Sequence, residues 1–156
     1  MPPKQPTDEA GWQRWFAVEL FNHTWSFIDK KDALTQEEKD EMLAAAMASR
    51  FHWGKVGEPR NHAIGDWQIS RVYAEHGNGP EAVRFGQKSL NACVEHSLGP
   101  FFTGYAHEAI ARGLKLEGDG VEYDKHLKLA HRLAEKIEKD DDRKMLLDDL
   151  RYIEGM

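Results

Sequence analysis

A helix, a glycine turn and the start of a second helix follow one another within residues 69–82, and this stretch constrains the fold more than any other. Small residues stand on both sides of the turn, Ser70 before it and Ala82 after it, where they allow two antiparallel helices to approach closely. Tyr73 has the size to fill the gap between one helix pair and the next. We therefore expect packed helical hairpins.

Helical periodicity recurs along the rest of the chain, with breaks at glycine, proline and aspartate and no strand-like alternation. Thr35 and Glu38 form a capping box, and Gly-Pro pairs precede two later helices. The expected helices cover residues 8–28, 35–53 and 59–76, with a turn over 29–34 and a break over 54–58; the others begin near residues 79, 100, 120 and 140. The sequence predicts an all-α fold of about seven helices, arranged as three antiparallel hairpins and a capping helix. Residues 1–7 are expected to be a flexible N-terminus and residues 8–154 a single helical-repeat domain.

The spacing within residues 69–82 resembles the middle of a tetratricopeptide (TPR) repeat. In that pattern an aliphatic and a small residue precede a tyrosine by four and three places, and an alanine follows nine places after the tyrosine. The matching residues are Ile69, Ser70, Tyr73 and Ala82, and a weaker second copy has Ile110, Ala111, Leu114 and Tyr123. Gly86 stands where the pattern has an aromatic residue. The resemblance covers about residues 63–131 and implies a helical binding scaffold.

TPR proteins bind ligands on the concave surface that the first helix of each hairpin lines, and the resemblance implies which side chains would lie there. They are Ile64, Trp67, Gln68, Arg71 and Glu75 from the third helix, and Tyr105, Glu108, Arg112 and Lys115 from the fifth. Helical spacing independently places most of each set on one stripe. Aromatic, arginine and carboxylate groups side by side suit a peptide, a partner segment or a small anionic ligand. Alternatively, Arg71 with Glu75, and Glu108 with Arg112, are i,i+4 pairs on solvated helices.

The amino-terminal third is rich in aromatic residues, since all five tryptophans lie at or before Trp67. The first helix has two apolar faces, and the strip between them carries Asn22, which would either meet solvent or line a pocket. Near the end of the second helix, Arg50 and His52 stand among aromatic residues. Arg50 could reach the same groove as Arg71 or could tie down the helix end. We include Asn22, Arg50 and His52 among the candidate ligand-binding residues.

Eight histidines raise the question of a metal, but the known ligand spacings are incomplete. His107 and Glu108 begin the H-E-x-x-H pattern, yet Ala111 occupies the place of its second histidine. His23 falls on an apolar face of the first helix, where a hydrogen-bonded core histidine is expected. A cluster gathered from separate helices would use His23, His52 and His107. We expect no metal, no cofactor and no catalytic set.

The amino-acid composition limits the kinds of partner that the protein can bind. With 27 acidic and 21 basic residues the net charge is −6, which opposes a role on nucleic acid. The acidic residues 140–142 and 148–149 are interpreted as the solvated surface of a terminal helix. The longest apolar run is far shorter than the roughly 20 residues of a membrane-spanning helix. The lone Cys93 is expected to be buried and cannot pair within the chain, and no secretion signal is recognised, so a cytoplasmic location is expected.

Two functions from different classes follow from these residues. The first is a binding module that captures a peptide, a partner segment or a small anionic ligand in the groove. The second is a small helical enzyme or metal-binding bundle that uses His52, His107 and Glu108, with Arg71 and Arg112 stabilising charge. The first is favoured because no catalytic set is complete. The oligomeric state is left open.

Overall fold

The structure, a computed structural model, describes residues 4–30 and 32–156. Within these residues there are seven helices and no strand, so the predicted all-α fold is confirmed. The helices are α1 (Glu9–Ile28), α2 (Gln36–Val56), α3 (Pro59–Glu75), α4 (Gly79–Glu95), α5 (Pro100–Glu117), α6 (Gly120–Glu135) and α7 (Asp140–Glu154). Residues 1–3 of the expected flexible N-terminus, and Lys31 of the expected turn, lie outside the described residues.

Local capping accounts for most helix starts. The Thr35 hydroxyl accepts a hydrogen bond from the Glu38 amide at 3.1 Å, and the Glu38 carboxylate accepts one from the Thr35 amide, which confirms the capping box. One boundary was wrong: α2 continues through Gly54 and ends at Val56, with Gly57 as its C-cap. A glycine inside a helix costs only about 1 kcal/mol relative to alanine. The buried Trp53 side chain packs beside this last turn, and its packing outweighs that cost.

The helices form two layers. Each odd-numbered helix contacts the next odd-numbered one, so α1, α3, α5 and α7 form a continuous layer, whereas α2, α4 and α6 contact no other even-numbered helix among the described residues. Consecutive helices pack as antiparallel neighbours throughout. Contacts within a layer are thus made by the odd-numbered helices alone among the described residues. We call the odd-numbered layer the inner layer and take it as the side on which a groove would form.

Two glycines allow α4 and α5 to pack backbone against backbone. A Cβ atom at Gly86 would lie 3.0 Å from the Ile110 amide nitrogen, and one at Gly113 would lie 2.9 Å from the Val83 amide nitrogen. Neither neighbour can give way, because both atoms belong to the main chain. Gly86 thus departs from the TPR pattern for a steric reason, since no larger side chain fits at this crossing.

Buried serine hydroxyls join the helices within the first two hairpins. Ser49 of α2 donates to the Ala17 carbonyl of α1 at 2.7 Å, and Ser89 of α4 donates to the Ala63 carbonyl of α3 at 2.8 Å. Ser70 donates to the Ala82 carbonyl at 2.6 Å. The small residues expected at the hairpin contact do lie there, because Ser70 and Ala82 are both buried. The first two hairpins therefore share the same kind of buried contact.

No helix in the described part of the chain is long and apolar enough to cross a bilayer.

Candidate functional site

A cavity of about 210 Å³ opens on the inner layer, and all four odd-numbered helices contribute to it. Its walls are Trp25 from α1, Ala63, Ile64 and Trp67 from α3, Ser89 from α4, Phe101, Phe102 and Tyr105 from α5, and Met145 and Asp149 from α7. Pockets that hold drug-sized ligands are usually about 300–1,000 Å³. This cavity is smaller, and its size suits one amino-acid side chain or a small headgroup.

Aromatic residues make up half of the residues that line the cavity. The Trp25 and Trp67 ring centroids lie 5.7 Å apart with a 33° angle between the planes. Tyr105 stands nearly perpendicular to Trp67, with centroids 5.5 Å apart, and Phe101 meets Tyr105 edge-on at 5.2 Å. These edge-to-face contacts hold each ring in place. The aromatic wall is therefore preformed, with ring faces turned at different angles around the space.

A buried ion pair supports the aromatic wall from behind. The Trp67 indole nitrogen donates to Glu108 Oε2 at 2.9 Å, and Arg112 donates to Glu108 Oε1 from Nε at 3.0 Å and from Nη2 at 2.7 Å. Glu108 and Arg112 are only 1% and 3% exposed. Burial alone would lower the pKa of Arg112, but the Glu108 carboxylate raises it, so the guanidinium stays charged. Trp67 is thus fixed by a charged hydrogen-bond network.

Asp149 is the one carboxylate among the residues that line the cavity. Its Oδ2 accepts a hydrogen bond from the Tyr105 hydroxyl at 2.6 Å. Burial and the neighbouring Asp149 carboxylate raise the pKa of Tyr105, so this hydroxyl stays protonated and donates. Within residues 4–30 and 32–156, Asp149 Oδ1 has no hydrogen-bond donor and Asp149 belongs to no ion pair. One carboxylate oxygen is therefore left for a ligand.

The charges around the cavity do not cancel. Arg71 donates to Glu75 at 2.8 Å, and Arg112, which pairs with Glu108, is also influenced by the charges of Glu75 and Asp149. The Arg71–Glu75 and Arg112–Glu108 pairs each balance, so within this group of five side chains the formal charge of −1 comes from Asp149. The surplus belongs to the carboxylate that lines the cavity.

The structure brings together four of the ten predicted site residues and places the others apart. Trp67 and Tyr105 line the cavity, and Glu108 and Arg112 lie directly behind it. Gln68 points the other way, where it is 1% exposed and donates to the Phe21 carbonyl at 3.0 Å. Five predicted residues lie outside the cavity wall. They are Asn22, Arg50 and His52 on the two amino-terminal helices, and Arg71 and Glu75 on α3.

Arg50 and His52 hold helices together. The Arg50 Nε donates to the buried Asp66 carboxylate at 3.0 Å and so joins α2 to α3. Burial raises the pKa of Asp66, although the Arg50 charge opposes that shift. The His52 ring stacks on Phe16 of α1, with centroids 5.6 Å apart. Asn22 is exposed on α1.

The histidines His23, His52 and His107, considered as an alternative metal cluster, have separate surroundings. His23 is at the surface, with 46% of its side chain exposed and its Nε2 3.5 Å from Glu41, so the expectation of a core histidine was wrong. His107 instead meets His126 of α6, with their Nδ1 atoms 2.9 Å apart. Among the residues that the structure describes, no group of three or more histidine, cysteine, aspartate or glutamate side chains could hold a metal ion.

Sequence reasoning missed the contribution of α7. Met145 and Asp149 lie four residues apart on one face of that helix and reach the cavity together. Phe101 was also missed, although it continues the Tyr105 stripe one helical turn earlier. The signal was available: α7 is an odd-numbered helix, so it occupies the position of a first helix in a fourth hairpin.

A second cavity of about 160 Å³ adjoins the first and shares Ile64 with it. Its other lining residues are Val18 and Phe21 from α1, Trp53 from α2 and Asn61 from α3. Ile64 therefore lines both apolar depressions.

Comparison with protein-family models, with curated proteins and with solved structures finds no significant match for this chain.

Proposed function

We propose that this chain is a TPR-like binding module that captures a linear segment of a partner protein along its odd-numbered helices. One observation carries the proposal: a preformed aromatic cavity, sized for a side chain, shares the lining residue Ile64 with a second apolar depression. Two adjoining depressions suit two anchor residues of one segment, and buried apolar anchors supply most of the affinity of such contacts. The layered arrangement of helices and the shared serine contacts support the comparison with a repeat.

The ligand class that this surface favours differs from the small anionic ligand that the sequence offered as one alternative. That expectation depended on Arg71 and Arg112, and each arginine is paired with a glutamate of its own helix. Neither side chain lines the cavity. The proposed segment is therefore held first by apolar contacts. We also retain the cytoplasm as the proposed location, since the lone Cys93 is a buried free thiol.

The proposal can be tested by selecting a displayed library of random linear peptides on the full chain and measuring the affinity of enriched peptides by calorimetry. Met145 is 52% exposed at the cavity wall, so Met145→Trp should narrow the cavity without disturbing the fold. Val94 of α4 is 67% exposed and outside the cavity, which makes Val94→Trp the matched control.

We expect binding to weaken by at least about tenfold in Met145→Trp, since losing one buried anchor costs more than about 1.4 kcal/mol. Val94→Trp should bind like the wild type. The proposal is wrong if no peptide is enriched, or if enriched peptides bind all three proteins equally.

A further inference from the structure

We propose that the side chain entering the aromatic cavity is positively charged, a lysine or arginine of the partner segment. This inference rests on the proposed function, because it names the residue class that the same cavity selects. Three observations carry it: a free carboxylate oxygen, ring faces around the space, and the surplus negative charge of the surrounding network.

The Asp149 carboxylate lies where it can bind a cation, and one of its oxygens is available. Asp149 lines the cavity, and its Oδ2 is held by the Tyr105 hydroxyl, which fixes the direction of the carboxylate group. Its Oδ1 has no donor within residues 4–30 and 32–156. An ammonium or guanidinium group donates hydrogen bonds and carries the opposite charge, so it satisfies this oxygen better than a neutral group does.

The aromatic rings favour the same ligand. A cation within about 6 Å of a ring centroid is attracted to the ring face, and tryptophan is the strongest such partner. Trp25, Trp67 and Tyr105 all line the cavity, and the Tyr105 ring stands at 81° to the Trp67 ring. A lysine or arginine side chain can lay its methylene stem against these rings while its charged end reaches Asp149.

The charge distribution disfavours an anion. No lysine, arginine or histidine is among the cavity-lining residues. The Arg112 guanidinium behind the cavity wall is 3% exposed and already donates to Glu108. An acidic ligand would face the Asp149 carboxylate with no cation of the wall to compensate, whereas a basic one cancels the local charge of −1.

The experiment compares three capped glycine-serine peptides that differ at one central residue: lysine, norleucine or glutamate. Norleucine keeps the apolar stem of lysine and lacks only the ammonium group. Binding to the full chain is measured by ligand-observed NMR, together with free n-butylammonium, which represents the lysine side chain without a peptide. The protein variants are Asp149→Asn, which keeps an acceptor for Tyr105, and Asp148→Asn, the matched change one residue earlier on the exposed side of α7.

We expect the lysine peptide to bind roughly tenfold more tightly than the norleucine peptide, and the glutamate peptide to bind most weakly. Asp149→Asn should abolish the preference for lysine, whereas Asp148→Asn should keep it. Because the peptide comparison is made on the wild-type protein, it does not depend on either variant folding.

Other outcomes separate this inference from the function on which it rests. If norleucine binds as tightly as lysine, or glutamate binds best, the cavity accepts a segment but does not select a cation, and the inference is overturned. If n-butylammonium binds as tightly as the lysine peptide, the occupant is a small amine rather than a partner segment, which also overturns it. If no peptide binds and the library selection also fails, the proposed function itself is wrong.

Discussion

Acidification should destabilise this protein through one histidine pair. His107 of α5 and His126 of α6 share a hydrogen bond between their Nδ1 atoms at 2.9 Å, so one ring carries the proton at that position and the other accepts it. Burial, helped by the charges of His126 and Lys125, lowers the pKa of His107 to about 4. Burial also lowers the pKa of His126, although Glu122 opposes that shift. Both rings are therefore neutral in the folded state near neutral pH.

The direction of the effect follows from proton uptake. A histidine in the unfolded chain binds a proton near pH 6.5, whereas folded His107 does so only near pH 4. Between these values the unfolded chain holds more protons, so folding stability falls as the pH falls. The His107 contribution is complete above about pH 6.5 and is lost progressively toward pH 4. At 1.36 kcal/mol per pH unit, the loss between about pH 6.5 and pH 5 is roughly 2 kcal/mol.

The assay is thermal unfolding followed by circular dichroism at a series of pH values between about pH 7 and pH 5, above the range where carboxylates dominate acid unfolding. For a domain of this size, 2 kcal/mol corresponds to a fall in Tm of roughly 4 to 8 °C. His107→Asn removes the titrating ring and keeps a hydrogen-bonding amide beside His126, so most of this fall should disappear. His96→Asn is the control, because the His96 side chain is 44% exposed, and it should leave the pH profile unchanged.

The reasoning is refuted if His107→Asn keeps the full pH dependence, or if His96→Asn loses as much of it as His107→Asn does.

Three further predictions concern packing, charge and reactivity. Ala82→Arg should unfold the chain, because Ala82 is 0% exposed at a tight helix contact, and a near-wild-type Tm would contradict that contact. Glu108→Gln should lower the free energy of unfolding, measured by denaturant titration, by about 3 kcal/mol, since it leaves the buried Arg112 charge unbalanced. The surface change Glu81→Gln should cost less than about 1 kcal/mol in the same titration. Equal costs for the two variants would refute the argument. Cys93 is 1% exposed and burial raises its pKa to about 11, so a thiol reagent should label it only as the protein unfolds, and rapid labelling of the native state would contradict this.

The helices were predictable because their limits depend on neighbouring residues. Thr35 caps the second helix through Glu38, three residues away, and the sequence shows both partners. Gly54 was misread because the packing of Trp53, which decides whether the helix continues, comes from other parts of the chain. Local signals thus located the helices, and long-range packing determined the boundary that was predicted wrongly.

The candidate site was predictable only in part for the same reason. Trp67 and Tyr105 were identified from their stripes, and they do meet in one cavity. Glu108 and Arg112 were recognised as an i,i+4 pair, but the spacing of a pair contains no information about its burial. Asp149 was interpreted as part of a solvated acidic end, because its role depends on Tyr105, which lies 44 residues away in sequence.

The pattern of helix contacts determines which part of the chain can open first. Among the helices of the described residues, α3 is the one whose backbone lies close to the α1–α2 hairpin, whereas α5 lies close to α3, α4, α6 and α7. A hairpin with one neighbour is the weakest cooperative unit of such an array, so it opens at a lower free energy than the centre does. Trp25 of α1 is nevertheless part of the cavity wall. A segment bound there contacts both the α1–α2 hairpin and the central helices around α5. Part of its binding free energy therefore goes into keeping the first hairpin packed against α3.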